Sequence, residues 1–541
     1  MIKKLLNNQS KTITSAAILL GIATFASKFL GFVKTWLLAS TFGAGAALDA
    51  YYVAISIPEF VFNLLVVGAI SASFIPIFLE YHSNKKETEA WDFMNGVLNL
   101  LTLVVLIISA LFIIFAPQAV KLVAPGFRED SERFRLAVPL MRMLFITPVI
   151  FGISSVMSGA VRSFKKFLIY ALAPILYNVG IIIGALFFSK YWGIFGVALG
   201  VILGSFMHLS IETFGAISSG FKYKFVIPLK HKGIQKLFKL MIPNVMGIAS
   251  DQVNGLIFTL IASKLMIGDI TIFNFADTIR TLPIGIFALS FAVASFPTIA
   301  DLAAKKDWDN FISTISGTAR QILFWMIPSA IILYALRAQL VRVVVGAKGF
   351  SWSATQATAQ TVGYFAIGIC AAGLAPLLSR AFFSLHDTIT PFFTGLCGMA
   401  VSVVAGFILA KKMGVPGLGL AFIFAAIIDV LLQTIILRKK LGRIEGDKIF
   451  IMLIKIFPAG AAMAFAMQKT KYFMANKVNM QTFKGVITQG TAAGIAGITV
   501  YCAVCLALRC EEMVLFKDAL VRRMKFRKPV QIQDISSDLD E

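Results

Sequence analysis

Charged residues are scarce in this chain, because Asp, Glu, Lys and Arg together make up only 14% of its 541 residues. A soluble domain averages about 25%, so this composition excludes an ordinary soluble protein. Hydrophobic residues reach 58%, and they form continuous runs instead of the alternating pattern of a membrane β-barrel. The sequence therefore predicts an all-α, polytopic membrane protein.

Cysteine and catalytic motifs are also sparse. Cys502 and Cys505 have CxxC spacing, but no second pair accompanies them and they fall in an apolar run, so we interpret them as small buried residues. The sequence lacks an HExxH motif, a Gly-rich phosphate loop, and a nucleophile with a matching base. These absences predict a protein that is not an enzyme, uses no cofactor and has no confident metal site.

Basic residues outnumber acidic ones by 50 to 27, which gives a formal net charge of +23. In a soluble protein this excess would suggest a nucleic-acid partner, but no basic soluble domain is present, so no nucleic-acid binding is expected. The cations are concentrated in one set of loops, which includes Lys165–Lys166, Lys305–Lys306 and Arg438–Lys440. By the positive-inside rule, both termini should be cytoplasmic.

Runs of about 20 apolar residues can cross a bilayer as helices, and the chain contains about fourteen such runs between positions 13 and 508. Two of them, 48–81 and 270–303, exceed one bilayer thickness and contain prolines, so they should bend or break. The spans predict four parts: a six-helix bundle in 1–230, a second in 231–440, two extra helices in 441–510, and a cytoplasmic tail in 511–541.

An internal repeat supports the division into two bundles. Ala72–Pro76 and Ala294–Pro297 are similar segments, each followed by two lysines, and Ser158–Arg162 matches Ser379–Phe383 at nearly the same separation in the numbering. Six helices per copy mean that both copies enter the membrane from the same side, as in transporters whose halves are related by an axis along the membrane normal. The alternative is chance similarity between short helix-end segments.

Two lysines, Lys28 and Lys34, fall inside the first apolar span. A cation at the bilayer centre costs about 2.5–3.5 kcal/mol on insertion scales, so these residues are expected to face a watery cavity or a polar partner. A membrane protein with a charged interior usually moves a charged cargo. The alternative is that the ammonium groups snorkel toward the interface, particularly that of Lys34.

The segment Ser27–Lys34, followed by Phe42–Gly45 and Asp49–Ala54, resembles the start of the MurJ (MviN) lipid II flippases, which belong to the multidrug/oligosaccharidyl-lipid/polysaccharide exporter superfamily. Matches continue in order through Ala173–Asn178 and Arg380–Ser384. The resemblance implies two six-helix bundles around a central cavity, with two extra helices that extend a lipid-facing groove. It implies that the protein moves lipid II, the undecaprenyl-pyrophosphate-linked peptidoglycan precursor, from the cytoplasmic to the periplasmic leaflet of the bacterial inner membrane for cell-wall synthesis.

The family's charged positions carry over unevenly. Lys28 and Lys34 stand at the positions of an arginine pair in the family, and we expect them to hold the pyrophosphate. Arg280 and Arg380 are expected to assist from the second bundle, although Arg280 lies two residues beyond the missing family arginine and cannot simply replace it from the same helix face. Asp49 and Asp277 would set the gates. The chain departs from the family at Phe62 and Thr278, where cations are expected, and at Val67, where a glutamate is expected.

Alternatives stay open for several of these residues. Asp49 could pair with Lys34 or cap a helix, and Asp277 could simply pair with Arg280 in the next turn. Arg380 could lie at the membrane interface without touching substrate.

Two further groups are candidates for ion handling. Asp251 is a candidate coupling residue for Na⁺ or H⁺, with interhelical hydrogen bonding as the alternative. His208 and Glu212 could form a proton relay or a buried hydrogen-bonded pair. For the whole protein, the alternatives are a polysaccharide-lipid flippase, a cation-coupled drug exporter of the same superfamily, or a membrane scaffold without transport activity.

Overall fold

The computed structural model describes residues 13–67, 74–83, 87–226, 231–346, 350–514 and 517. Within helices, the side chains of 13–20, 242–244, 246–248, 250 and 251 also lie outside the described part. The side chain of Asp251, the candidate coupling residue, is therefore not described, nor is most of the predicted tail in 511–541.

Within the described residues, the first part of the chain forms ten helices, which together correspond to the first predicted bundle. They are α1 Ile13–Phe42, α2 Ala46–Val61, α3 Ile75–Ser83, α4 Glu87–Ile114, α5 Ala116–Val123, α6 Glu132–Leu144, α7 Ile146–Ser163, α8 Phe167–Ile183, α9 Ser189–Trp192 and α10 Ile194–Ile217. Two short π-helical segments, Phe62–Val67 and Gly184–Phe188, continue α2 and α8.

The second part of the chain forms ten more helices in the segments that the structure describes. They are α11 Lys232–Ser263, α12 Asp269–Pro283, α13 Leu289–Ala304, α14 Trp308–Ala335, α15 Arg337–Val345, α16 Trp352–Ser384, α17 Ile389–Met413, α18 Val415–Leu441, α19 Gly446–Ala475 and α20 Phe483–Ala507. The π-helical segment Ile284–Ala288 joins α12 to α13.

Thirteen helices in the described part are long and apolar enough to cross a membrane. The helix α11 corresponds to the remaining predicted span. With 32 residues, α11 is long enough to cross a bilayer. Its last part, Gln252–Ser263, is apolar but shorter than a full membrane span. The predictions of an all-helical fold and a multi-pass membrane protein are confirmed.

The helix boundaries repeat along the chain. The helices α4 and α14 have the same length, 28 residues each. The offset between their first residues, Glu87 and Trp308, equals the offset between the first residues of α10 and α18 and between the last residues of α7 and α16. The π-helical segments that follow α2 and α12 recur at the same offset to within a single position. This correspondence confirms the internal repeat that the short sequence matches predicted.

Both long proline-bearing spans change their geometry where a break was predicted. Pro58 lies in the last turn of α2 and Pro283 ends α12, and a π-helical segment follows each of them closely. Proline removes one backbone donor and crowds the preceding turn, and a π-bulge is one of the recognised sites of helix bending. The prolines therefore account for the position of both irregular segments.

Glycines allow α8 and α10 to pack with their backbones in close approach. A Cβ atom on Gly200 would lie 2.6 Å from the Cα of Gly184 and 2.9 Å from the carbonyl oxygen of Gly180. Small residues four apart on facing helices are the usual basis of such packing in membranes. The two helices consequently form a rigid wall behind α1, which packs on α8.

Replacing Gly200 with alanine is expected to destabilise the protein, because the added methyl group meets backbone atoms that cannot move aside independently. Overpacking of this kind costs about 1–3 kcal/mol. Thermal unfolding in detergent should show a lower midpoint for Gly200→Ala. The matched control is Gly317→Ala, since a Cβ there would meet no atom within 4 Å; an equal fall in both variants would contradict this account.

The chain divides into two compact units. The larger comprises Met1–Leu282, Arg337–Ala372 and His386–Gln433, and the smaller comprises Pro283–Leu336, Gly373–Leu385 and Thr434–Glu541. In the larger unit, Phe74, Phe78 and Phe93 stack in a fully buried aromatic core. The predicted domain boundaries at 230, 440 and 510 stay predictions.

The smaller unit holds the last two helices against α14. The buried hydroxyl of Tyr501 donates to the carbonyl oxygen of Phe324 at 2.8 Å, and the Lys471 ammonium donates to the carbonyl oxygen of Ala335, also at 2.8 Å. Arg320 bonds Glu511 and Glu512 just beyond the end of α20. These bonds fix α19 and α20 to α14 at several levels along their length.

Candidate substrate-binding site

Asp49 closes one end of the larger unit. Its carboxylate is fully buried and accepts hydrogen bonds from the backbone N–H of Gly268 at 2.7 Å, from the N–H of Thr271 at 3.0 Å and from the Thr271 hydroxyl at 2.8 Å. The first N–H groups of a helix have no partner within it. Asp49, on α2, therefore caps the start of α12, although the two segments are far apart in the sequence.

A buried arginine completes this arrangement. Arg133 on α6 places its guanidinium 3.8 Å from the Asp49 carboxylate and 4.5 Å from the centre of the Phe127 ring. The predicted pairing of Asp49 with Lys34 is wrong, because the partners of Asp49 are the start of α12 and Arg133. Asp49 does not cap its own helix either, where Gly45 occupies the capping position.

The helices α2 and α12 contact each other near their N-terminal ends. Past the Asp49–Thr271 bonds, the rings of Tyr52 and Phe275 meet edge to face at 6.1 Å. Farther along, Glu59 on α2 and Thr281 on α12 are exposed, whereas Ile57, Val61 and Ile279 are buried.

Lys28 lies at the edge of the apolar surface of α1. Four large exposed residues mark the apolar side of α1, namely Ile22, Phe25, Phe29 and Trp36. At about 100° per residue, all four lie roughly 60–120° around the helix from Lys28. Lys28 is exposed together with Thr24, at the border between this apolar side and the rest of the helix surface.

Gly31 opens the face of α1 between the two lysines. Lys28 and Lys34 are about 120° apart around the helix, and Gly31 lies midway, about 60° from each. A side chain at Gly31 would meet no other atom within 4 Å. An anionic group could therefore approach this face and reach both ammonium groups at once.

Glu59 is a charged neighbour of Lys34 that the sequence analysis missed. Lys34 is half-buried, and its charge is attracted by Glu59 and repelled by Lys28. The carboxylate of Glu59 also interacts electrostatically with the hydroxyl groups of Tyr52 and Tyr177. The signal was present in the sequence, since Glu59 is a carboxylate directly after Pro58 inside an apolar span.

Arg280 has partners of its own. Its Nε donates to Asp277 Oδ1 at 2.9 Å, and its guanidinium lies 3.9 Å from the centre of the Phe422 ring and 5.1 Å from that of Phe365. Only 12% of its side chain is exposed. The alternative that Asp277 and Arg280 pair with each other is confirmed, while their roles in substrate binding and gating stay predictions.

Arg380 belongs to the smaller unit. Its guanidinium donates to the carbonyl oxygen of Pro376 at 3.0 Å, one turn earlier on α16, and the residue is half-buried. The structure thus gives it a local backbone partner. Its contact with substrate stays a prediction.

The neighbours of Asp251 on α11 make interhelical hydrogen bonds. Asn63 donates to Gln252 at 3.2 Å, and the hydroxyl of Ser402 donates to Asn254 at 2.8 Å. Among the described residues, no group of three His, Cys, Asp or Glu side chains could hold a metal ion. The ion-coupling role of Asp251 stays a prediction.

His208 and Glu212 do not bond each other. The Nδ1 atom of His208 lies 2.7 Å from the hydroxyl of Ser154 on α7. The Glu212 carboxylate is fully buried, and neither of its oxygens has a hydrogen-bond partner at normal geometry, although Ser158 and Arg162 are its polar neighbours. The predicted hydrogen-bonded pair is therefore not formed.

Comparison with known proteins identifies the family. The family described as "MurJ: Lipid II flippase MurJ" matches residues 38–487. The chain belongs to the MurJ family. A probable lipid II flippase MurJ of Thermotoga maritima is 30% identical over 405 residues, covering 74% of this chain and 80% of its own length. One from Buchnera aphidicola subsp. Schizaphis graminum is 26% identical over 493 residues, covering 90% and 95%.

Solved structures give the same family and a wider fold group. A lipid II flippase MurJ in an inward closed conformation has a TM-score of 0.74 and 25% identity, and covers 93% of this chain and 100% of its own. An inward-facing multidrug resistance MATE transporter has a TM-score of 0.64 at 13% identity, covering 80% and 99%. The second likeness shows the fold alone.

The positions where this MurJ-family chain departs from the expected cations have ordinary packing roles. The Thr278 hydroxyl donates to the carbonyl oxygen of Asn274 at 2.9 Å, one turn earlier on α12. The ring of Phe62 packs against that of Phe151, with centroids 5.3 Å apart. Thr278 and Phe62 carry no charge. The cations that remain for substrate binding on the open face of α1 are Lys28 and Lys34.

Proposed function

We propose that this protein is a flippase that moves lipid II across the cytoplasmic membrane, with Lys28 and Lys34 binding the pyrophosphate of the head group. The observation that carries the proposal is the open face at Gly31, flanked by two ammonium groups within a membrane-spanning helix. Charge-assisted hydrogen bonds to phosphate oxygens are among the strongest available to a protein. Membership of the MurJ family supports lipid II as the cargo.

Alternating access is the proposed mechanism. In this mechanism the hydrogen bonds of Asp49 to Gly268 and Thr271 close one end of a passage between α2 and α12, and the exposed Glu59 lies toward the other end of α2. By the positive-inside rule the Glu59 end is cytoplasmic, so the head group would enter there while the polyprenyl chain stays in the lipid. Breaking the Asp49 contacts would then open the opposite end to the periplasm.

Reconstitution tests this proposal directly. Proteoliposomes containing the full chain and labelled lipid II should expose the head group to an impermeant reagent on the far side faster than empty liposomes do. A polyprenyl monophosphate sugar serves as the control cargo, because it lacks one of the two phosphates. A rate equal to that of empty liposomes would contradict transport and favour a scaffold, whereas preferential movement of the control cargo would favour a polysaccharide-lipid flippase.

Glu59 is expected to weaken substrate binding, because its carboxylate competes with pyrophosphate for Lys34. Partly exposed ion pairs are worth up to about 1 kcal/mol, so the Glu59→Gln variant should bind lipid II about three- to fivefold more tightly in an equilibrium titration. Glu212→Gln is the matched control, since it also removes a membrane carboxylate but Glu212 does not neighbour Lys34. Equal or weaker binding by Glu59→Gln would show that Glu59 does not compete.

A further inference from the structure

A cleft lies on the side of the larger unit formed by α4, α7 and α10. It has a volume of about 670 Å³, and its wall is mostly apolar, with Leu103, Leu106, Met157 and Leu209 among the lining residues. This volume falls within the roughly 300–1,000 Å³ of clefts that bind small ligands. None of the residues placed in the substrate-binding site lines it, so the cleft is distinct from that site.

The non-helical segment 221–226 that follows α10, here called the strap, forms one edge of the cleft. Phe221, Tyr223 and Phe225 line the cleft from this strap. Two asparagines of α4 hold the strap in place. Asn95 donates to the carbonyl oxygen of Lys222 at 3.0 Å and accepts from the N–H of Lys224 at 2.9 Å.

The second asparagine extends the attachment. Asn99 donates to the carbonyl oxygens of Lys224 and Val226, both at 3.0 Å, and accepts from the Tyr223 hydroxyl at 3.1 Å. Asn99 and Asn95 are both buried. The hydrogen bonds from Asn95 and Asn99 therefore fix the backbone of the strap against α4.

The strap belongs to a strongly basic stretch. Between Glu212 and Asp251 the sequence has no acidic residue, but it contains six lysines at positions 222, 224, 230, 232, 236 and 239. Lys222 is exposed and has no acidic partner among the described residues, whereas Lys224 lies 3.3 Å from the half-buried Asp92. Tyr223 and Phe225 are 60% and 74% exposed, as is usual for aromatic side chains at a membrane interface.

We infer that this cleft binds an anionic glycerophospholipid, with an acyl chain against the α4, α7 and α10 wall and the phosphate at Lys222 and Lys224. The cleft opens on a surface that lies in the membrane, so a lipid chain is the apolar group available to it. The basic strap selects a negative head group, since clustered lysines next to membrane helices attract anionic lipids. The occupant is thus complementary to both the apolar wall and the charged edge.

Native mass spectrometry of the purified full chain tests this inference. Phosphatidylglycerol and phosphatidylcholine with identical acyl chains are titrated separately. We expect at least one phosphatidylglycerol molecule to bind at least about fivefold more tightly than phosphatidylcholine does. Each lysine near an anionic lipid contributes about a fivefold preference. Equal binding of the two lipids by the wild type would overturn the inference.

Variants locate the site. Thr213→Trp fills the cleft and should remove the tight phosphatidylglycerol site, while Lys222→Gln with Lys224→Gln should lower its affinity without changing phosphatidylcholine binding. The control is Lys411→Gln with Lys412→Gln, which removes two exposed cations at the end of α17. If Thr213→Trp does not fold, the comparison of the Lys222 and Lys224 double variant with the Lys411 and Lys412 control still tests the assignment. A loss of binding in the control equal to that in the Lys222 and Lys224 variant would overturn the assignment, as would tighter binding of a polyprenyl phosphate than of phosphatidylglycerol.

Discussion

Lipid II translocation is expected to be lost when Lys28 and Lys34 are both replaced by alanine. Each ammonium is proposed to donate to the pyrophosphate, and a hydrogen bond to a charged group is worth about 1.5–3 kcal/mol. Since each 1.4 kcal/mol is about a factor of ten, each single variant should lose about 10- to 100-fold in transport rate at limiting lipid II. The rate of head-group exposure in proteoliposomes measures this loss.

Arginine substitutions separate charge from folding in this experiment. Lys28→Arg and Lys34→Arg keep the positive charge and add a planar fork that suits phosphate, so they should retain transport. Thermal unfolding of the alanine variants should match that of the wild type within a few degrees, because Lys28 is exposed and Lys34 is only half-buried. Full transport by the double alanine variant would favour the scaffold alternative.

Replacing Asp49 with alanine is expected to loosen the contact between α2 and the start of α12. The substitution leaves the N–H groups of Gly268 and Thr271 without their acceptor, at a cost of about 1–3 kcal/mol for a buried group. Hydrogen exchange of the peptide that spans these amides should therefore become about 10- to 100-fold faster. Mass spectrometry of the exchanged protein measures this directly.

A graded control accompanies this prediction. Thr271→Val removes the hydroxyl bond but keeps the backbone N–H bond to Asp49, so exchange should increase by a smaller factor. Amides in the α8–α10 wall should be unaffected in both variants. If the Asp49→Ala amides exchange at the wild-type rate, Asp49 does not stabilise this contact.

The membrane helices could be predicted well because the signal for each one is local. Continuous apolar runs gave spans that agree with α4, α10 and α14 to within a few residues. The repeat was visible in only a few short segments, yet the helix boundaries follow it throughout. Proline marked the places where α2 and α12 give way to π-helical geometry, although the sequence alone did not specify the π-helical form.

The partners of the charged residues could not be predicted, because they come from distant parts of the chain. Asp49 bonds the start of α12, and this contact depends on how α2 and α12 pack in three dimensions. Arg280 was expected to face a cavity, but Phe365 and Phe422 cover its guanidinium. The role of Glu59 beside Lys34 was missed because the family pattern places its glutamate elsewhere on this helix.

The central claim is that two ammonium groups on the open face of α1 bind the pyrophosphate of the lipid. Equilibrium binding of lipid II to the detergent-purified wild type and to the Lys28→Ala/Lys34→Ala double variant tests it most directly. We predict that the double variant binds at least about 100-fold more weakly, as expected for the loss of two charge-assisted contacts. Dissociation constants that agree within a factor of about three would contradict the claim.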